Sequence, residues 1–400
     1  MTISGKVILK KGKEISIQRF HPWIFSGAIQ KLEGPVTDGC WVEVIDFKDH
    51  TIGFGHYQHG SIAVRVLSFK PEVPTENFWT SKISNALSLR ESAGLPDART
   101  NAFRLIHGEG DGLPGLIIDV YADVLVVQAH SSGMHLDRHN IARALQDVFQ
   151  NKLRVIYYKS QSTLPGKMRD ASADEYLVGP DSYRDPLTMH TIIENGNQFY
   201  VDWQEGQKTG FFLDQRENRK LLGAFSKDKK VLNTFCYTGG FSVYALNSGA
   251  ALVHSVDSSQ KAIDLTIKNI SLNGFDPGVH QCFVTDTFDF LKDKQNEYDV
   301  VILDPPAFAK HRDARHQAVR GYQRLNAEAM RAIKGGGILF SFSCSQVVDR
   351  QLFYDTIVSA AIQSGREISV LHHLSQPADH PVSIFHPEGE YLKGLVLFVR

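Results

Sequence analysis

Five short hydrophobic stretches in the second half of the chain constrain its architecture more than any other feature. VLNTF (231–235), LVHSVD (252–257), QCFVTD (281–286), YDVVILD (298–304) and GGILFSFS (336–343) are strand-length and rich in β-branched or aromatic residues, and helix-like segments separate them. Such alternation packs as a parallel, doubly wound sheet with helices on its faces. Three stretches end on an acid: Asp257, Asp286 and Asp304. In open sheets of this kind the strand C-terminal ends border one ligand crevice. The first stretch runs into a loop with Gly239 and Gly240, where backbone N–H groups ahead of a helix meet ligands. Alone, the glycine loop fits a tight turn and a strand-end Asp fits a helix cap. Three acids in series behind a glycine loop point to a nucleotide-like ligand. No G-x-x-x-x-G-K-[ST] occurs, which argues against a nucleotide triphosphatase, while a nicotinamide enzyme stays open on the glycine loop.

The 400 residues exceed one typical core, so two or three domains are expected. Residues 1–72 read as short strands (VILKKGKEISI, GCWVEVID, TIGFGHY, SIAVRVLSF) broken by Gly, Asp and Pro, a small β-barrel-like module. KPEVPTENF (70–78) reads as a linker. Residues 73–187 read as a small α+β domain, with helices near 79–95 and 136–150 and strands in GLIIDVYADVLVVQA and RVIYYK. The doubly wound domain takes 188–400. The start, MTISGKVILKKGKE, has no apolar signal core, and no run of about 18 apolar residues crosses a membrane, so a cytoplasmic protein is expected.

Net charge is −1, so charge distribution matters more than its sum. Lys6, Lys10, Lys11, Lys13, Arg19 and Lys31 crowd residues 1–31 against the single acid Glu14, and AKHRDARHQAVRGYQR (309–324) is again basic. Each cluster alone fits a solvated face; two in a near-neutral chain favour a phosphate-bearing partner. The four cysteines lie far apart without a CxxC pair, which argues against disulfides and a cysteine zinc site. His372, His373 and His380 lack HExxH spacing, so packing or surface roles and no metal are expected.

LDPPAFAK (303–310) places two prolines behind Asp304, which stiffen the loop and remove two N–H donors. Such a loop suits gripping a planar base, though an ordinary strand stop reads similarly. Cys344 follows ILFSFS, so a parallel sheet presents it on the same edge as Asp304. A small buried filler remains the bland alternative.

NTFCYTGGFS, VDSS, TDTFDFL, LDPPAF and SFSCS, in this order, resemble the S-adenosylmethionine-binding and catalytic motifs of class I methyltransferases. With HPWIFSGAI, GDGLPGLIIDVY, GQKTGFFLDQRENR and DHPVSIFHPEGEYLKG, the chain resembles almost end to end the bacterial 23S rRNA 5-methylcytosine methyltransferases with an N-terminal PUA domain. It is similar, less fully, to the 7-methylguanosine half of a bifunctional 23S rRNA enzyme.

The resemblance implies a PUA domain at 1–72 that binds RNA through Lys10, Lys11 and Arg19, and a Rossmann-like methyltransferase domain at 188–400. It implies that Phe235, Tyr237, Thr238, Gly239, Gly240 and Phe241 hold the methionine end of S-adenosylmethionine. Asp257 takes the ribose hydroxyls, Asp286 the adenine amino group, and Phe212, Asp214 and Arg216 close the site. Asp214 reads equally as a helix cap. Asp304 faces both the cofactor and the target base, and Lys310, Arg312 and Arg320 grip RNA phosphates. Ribosomal RNA is the expected partner; a homodimer stays open.

Carbon 5 of cytosine is a poor nucleophile, and addition of a thiolate to carbon 6 makes it enamine-like. Cys344 is the expected nucleophile and Asp304 the group that stabilises the adduct. The DPPAF loop lacks the second cysteine that several such enzymes carry, so the base for the carbon 5 proton is unassigned, with Asp304 a candidate. Cys236 reads as packing. The alternatives are methylation of guanine N7 or another base nitrogen, which needs positioning only, and a non-catalytic RNA-binding or assembly protein.

Overall fold

The computed structural model describes residues 2–179, 190–309 and 311–400. Two compact units form. One comprises Met1–His190, Val201–Phe211 and Ala378–Gly389; the other comprises Thr191–Tyr200, Phe212–Pro377 and Glu390–Arg400. The expected boundary at 187 and Lys310 lie outside the described residues.

The first unit begins with β1 (Ile3–Leu9), a short helix α1 (Ile15–Gln18), β2 (Trp23–Phe25), β3 (Ile29–Glu33), β4 (Trp41–Ile45), β5 (Thr51–Tyr57) and β6 (Ile62–Ser68). They form one mixed sheet of order β2-β6-β5-β4-β1-β3 around Val7, Leu9, Ile17, Ile24, Val42, Val44, Val64 and Val66. Gly55 is needed where β5 meets β6: a Cβ there would stand 2.2 Å from the Arg65 carbonyl oxygen. VILKKGKEISI is not one strand. A turn at Gly12, with φ +82, separates β1 from α1, because only the first half carries unbroken β-formers.

The unit continues with α2 (Phe78–Ser92), β7 (Ala102–His107), β8 (Leu116–Tyr121), β9 (Val124–Ala129), α3 (Ser132–Leu136), α4 (Arg138–Phe149), β10 (Val155–Tyr158), α5 (Gly166–Ala171) and β11 (Glu175–Val178). The sheet order is β11-β10-β9-β8-β7. Trp41, Phe54 and Leu67 of the first sheet share a buried cluster with Trp79, Ile83, Phe103 and Leu116. Asp137, at the start of α4, accepts from Trp41 Nε1 at 2.7 Å and faces His56 Nε2 at 2.9 Å. The two sheets thus share one core.

The second unit opens with a hairpin, β12 (His190–Glu194) and β13 (Asn197–Val201), of which it holds Thr191–Tyr200. It continues with α6 (Arg216–Gly223), β14 (Lys230–Thr234), α7 (Gly240–Asn247), β15 (Leu252–Asp257), α8 (Gln260–Leu272), β16 (His280–Val284) and α9 (Thr287–Leu291). Then come β17 (Tyr298–Leu303), α10 (Arg315–Ala332), β18 (Ile333–Ser343), α11 (Arg350–Ser364), β19 (Ile368–Ser375) and β20 (Lys393–Val399). The seven-stranded sheet runs β16-β15-β14-β17-β18-β20-β19. The five stretches read from sequence are its parallel strands, and β20 is antiparallel to both neighbours. The order reverses at β14, so the crevice falls beside the C-terminal ends of β14 and β17.

Candidate functional site

The loop from β14 to α7 is held in backbone conformations that side chains rarely adopt. Phe235, Tyr237 and Gly239 have φ of +53, +46 and +75. Such outliers persist where the surroundings fix them, and they cluster at ligand clamps. The surroundings do fix them. Asp257 Oδ2 accepts from the Tyr237 N–H at 3.0 Å, and Asn269 donates to the Thr238 carbonyl at 2.8 Å. A Cβ on Gly239 would stand 2.6 Å from Thr266 Cγ2. Thr238, Gly240 and Phe241 are buried, with the Phe241 ring 5.7 Å from that of Phe342. Cys236 is also buried, its Sγ 3.6 Å from Thr266 Oγ1, and burial holds its thiol far above the usual range.

Asp257 sits half-buried at the end of β15, its second oxygen accepting from the Ser259 N–H at 2.9 Å. Asp286 is exposed and caps α9, accepting from Phe288 N–H at 2.8 Å and Asp289 N–H at 3.3 Å through one oxygen, Oδ1.

Phe212 packs edge-on against Tyr237 at 5.2 Å. Asp214 caps no helix with its side chain. Its Oδ2 accepts from the Tyr391 hydroxyl at 2.7 Å, while Oδ1 is buried without a partner. An orphaned buried carboxylate oxygen beside a clamped loop fits a ligand that brings donors. Arg216 is buried, its Nε 3.1 Å from Glu217. Three residues on, Arg219 makes a buried bidentate pair with Glu194 at 2.8 and 2.7 Å and donates to the Phe212 carbonyl at 2.9 Å. This pair, with the hairpin that supplies Glu194, fixes the Phe212–Arg216 segment. No local sequence pattern announces it.

Asp304 leaves β17 one residue after Leu303, which pairs with Ser341 of β18. Burial, then the Asp214 charge, pushes its carboxyl up to about 7 against a hydrogen bond from Gln215. Asp304 is only partly buried as a residue. Cys344 follows β18 directly. Ser345 Oγ donates to the Ala309 carbonyl at 2.8 Å, so the SFSCS turn is tied to the DPPAFA loop. Burial, then the charges of Asp304 and Asp214, pushes the Cys344 thiol up to about 11. Lys393 lies across from Ser343 at the start of β20. Its Nζ donates to the carbonyls of Ser345 and Val348 at 2.6 and 2.7 Å. Burial draws its ammonium down to about 8, while Cys344 holds it up. Tyr391 and Lys393 lie within the quoted EYLKG, but nothing local in that string gives them roles.

Among the RNA-facing candidates, Lys10, Lys11 and Arg19 are exposed on the first unit, and Arg320 is exposed on α10. Lys11 Nζ lies 5.8 Å from the Phe47 ring centre, and Phe20 and Phe25 are exposed rings of the same unit. Arg312 lies in a short turn ahead of α10. His380 is buried beside Asp379, and His372 and His373 are exposed.

A clamped glycine loop, a crevice bordered by strand-end acids and the antiparallel β20 together define a class I methyltransferase fold and site. Comparison with known proteins agrees. Residues 103–386 match the S-adenosylmethionine-dependent methyltransferase family, and residues 7–69 match a PUA-like domain. The chain is 39% identical over 399 residues to ribosomal RNA large subunit methyltransferase I of Alteromonas mediterranea, covering 98% of each. It is 37% identical to the protein of that name from Escherichia coli (strain SMS-3-5 / SECEC), again over 98% of each. A solved structure from Streptococcus mutans, described as a SAM-dependent methyltransferase, shares the fold over the whole of both chains with a TM-score of 0.82 at 24% identity. The chain belongs to the S-adenosylmethionine-dependent methyltransferases, within the ribosomal RNA large subunit methyltransferase I family. No helix among the described residues is long and apolar enough to cross a membrane.

Proposed function

We propose that the protein methylates carbon 5 of a cytosine in ribosomal RNA of the large subunit, 23S in bacteria, through an adduct on Cys344, in the cytoplasm. The observation that supports this reading is that Asp304 and Cys344 directly follow the adjacent parallel strands β17 and β18, near enough that the Asp304 charge acts on the Cys344 thiol. Methylation of a base nitrogen needs no such thiol.

The clamped 235–241 loop, Asp257, Asp286 and Asp214 would hold S-adenosylmethionine, which supplies an electrophilic methyl group. Cys344 Sγ bonds to carbon 6 while Asp304 takes the thiol proton and passes it to N3 of the ring. A carboxyl poised near 7 suits both directions of transfer. Carbon 5 becomes enamine-like without net charge. Once carbon 5 is methylated, Asp304 takes its proton, the carbon 5–carbon 6 double bond re-forms, and the Cys344 thiolate leaves and recovers the N3 proton. The net change is one methyl gained and one proton released. Lys393 offsets the thiolate charge at each end of the cycle. A base within paired RNA has to be unstacked first, and the exposed cations with their neighbouring rings suit single-stranded RNA.

The test is RNA carrying 5-fluorocytosine, which cannot lose a proton from carbon 5. A covalent protein–RNA species that requires S-adenosylmethionine and is absent in C344A is expected. Full methylation by C344A, or a guanine product by mass spectrometry, would overturn the reading.

A further inference from the structure

His21 and His386 come from opposite parts of the sequence, and the first unit brings them together. One ring nitrogen of each and a carboxylate oxygen of Glu388 all lie within 4.8 Å of one another. His21 precedes β2, and His386 and Glu388 belong to the Ala378–Gly389 segment.

His386 is only 2% exposed, yet neither ring nitrogen has a hydrogen-bond partner. An imidazole carries one donor and one acceptor, and leaving both unmet inside a protein is costly. Its Nε2 stands 3.8 Å from Glu388 Oε2, too far for a hydrogen bond and close to the spacing of two ligands on one ion. The Trp23 ring meets His386 edge-on at 4.3 Å and is pinned by its own Nε1, which donates to Glu109 at 2.9 Å. The site therefore has a rigid apolar wall. His21 Nδ1 lies 3.3 Å from the Trp23 carbonyl and 3.2 Å from the Trp23 N–H. The Trp23 N–H donates to Nδ1 as acceptor, so an ion on Nε2 would move the ring proton to Nδ1, where the Trp23 carbonyl stands to accept it, the pattern found behind metal-bound histidines. Glu388 is exposed, so an ion enters from solvent and retains a position for water.

We propose that His21, His386 and Glu388 form a binding site for a divalent transition-metal ion, with zinc the best match. Two imidazoles and one carboxylate suit this class and disfavour calcium or magnesium, which take oxygen ligands. The ion is structural: it fastens the Ala378–Gly389 segment to the β1–β6 sheet. Spacing along the sequence hides the site because two ligands reach it through tertiary folding.

The test uses the full chain, freed of any affinity tag and chelator, titrated with Zn²⁺ by calorimetry and with Co²⁺ by visible absorption. One equivalent per chain is expected, with the Co²⁺ spectrum of a site containing nitrogen ligands. H21A and H386A should each weaken binding by at least about a hundredfold, and E388Q by about tenfold. The double variant H372A/H373A, at exposed histidines, should bind as the parent does. If H386A does not fold by circular dichroism, H21A and E388Q, whose side chains are less buried, carry the comparison. No binding at micromolar zinc, or undiminished binding by H21A and E388Q, would overturn the site.

Discussion

The Tyr391 hydroxyl donates to Asp214 Oδ2 at 2.7 Å and so fixes the carboxylate whose charge raises Asp304. Burial is the larger cause of the raised Asp304 carboxyl, and one aromatic side chain from the segment before β20 positions the charge that adds to it.

Removing the Asp214 charge tests that chain of influence. D214N keeps an acceptor for Tyr391 but no longer opposes ionisation of Asp304. The Asp304 titration should fall from about 7 toward the ordinary carboxylate range. Carbon-13 NMR of the aspartate carboxyls would follow it, and an unmoved titration would refute the coupling.

Asp304 also makes stability depend on pH. Its carboxyl titrates higher folded, at about 7, than unfolded, where 3.8 is the ordinary value. The folded state therefore binds the proton more tightly, and this group's contribution to stability falls as pH rises from about 4 to about 7. D304N should lack that loss. At pH 8 it is expected to be more stable than the parent by roughly 2–4 kcal/mol, and near pH 4 about equal. Urea unfolding at both pH values reads the difference, and methylation should be lost in D304N.

The resting thiol is protonated at neutral pH. Cys344 should alkylate slowly with iodoacetamide, with an apparent pKa near 11. D304N should speed alkylation, because the Asp304 charge opposes the thiolate, and K393M should slow it further. Peptide mass spectrometry separates Cys344 from the other cysteines. The opposite order of rates would refute the proposed roles of Asp304 and Lys393.

Gly239 combines a φ of +75 with a forbidden Cβ position against Thr266. G239A is expected to cost about 1–2 kcal/mol in stability and to weaken S-adenosylhomocysteine binding at least tenfold by calorimetry. Full affinity would mean that the loop does not hold the cofactor.

Arg320 and Lys10 are exposed and on different units. Each substitution to Ala should weaken RNA binding without changing base preference and flatten its salt dependence by about 0.7 per phosphate contact. An unchanged salt slope would remove that residue from the RNA face.

The parallel strands of the second unit were legible because burial on both faces imposes apolar runs that stop at polar residues such as Asp257 and Asp304. Register carried Cys344 to the same edge. The Glu194–Arg219 pair was not legible, since a buried ion pair between a hairpin and a helix has no local pattern. Neither were the roles of Tyr391 and Lys393, which exist only through pairing of β20 with β18. Residues 7–17 misled because the β-former Ile15 follows a glycine turn and belongs to a helix turn. His21 and His386 were invisible for the same reason as the ion pair.

The placement of β20 has a temporal consequence. It lies inside the sheet, between β18 and β19, yet follows both in the chain. While the polypeptide emerges from the ribosome, β18 has an open edge and Cys344 lacks its lysine. If Lys393 supports the thiolate as proposed, activity would begin only after residue 393 and its strand are in place. A prematurely halted chain would be inert toward the particles around it, and its unpaired edge would mark it for capture by chaperones.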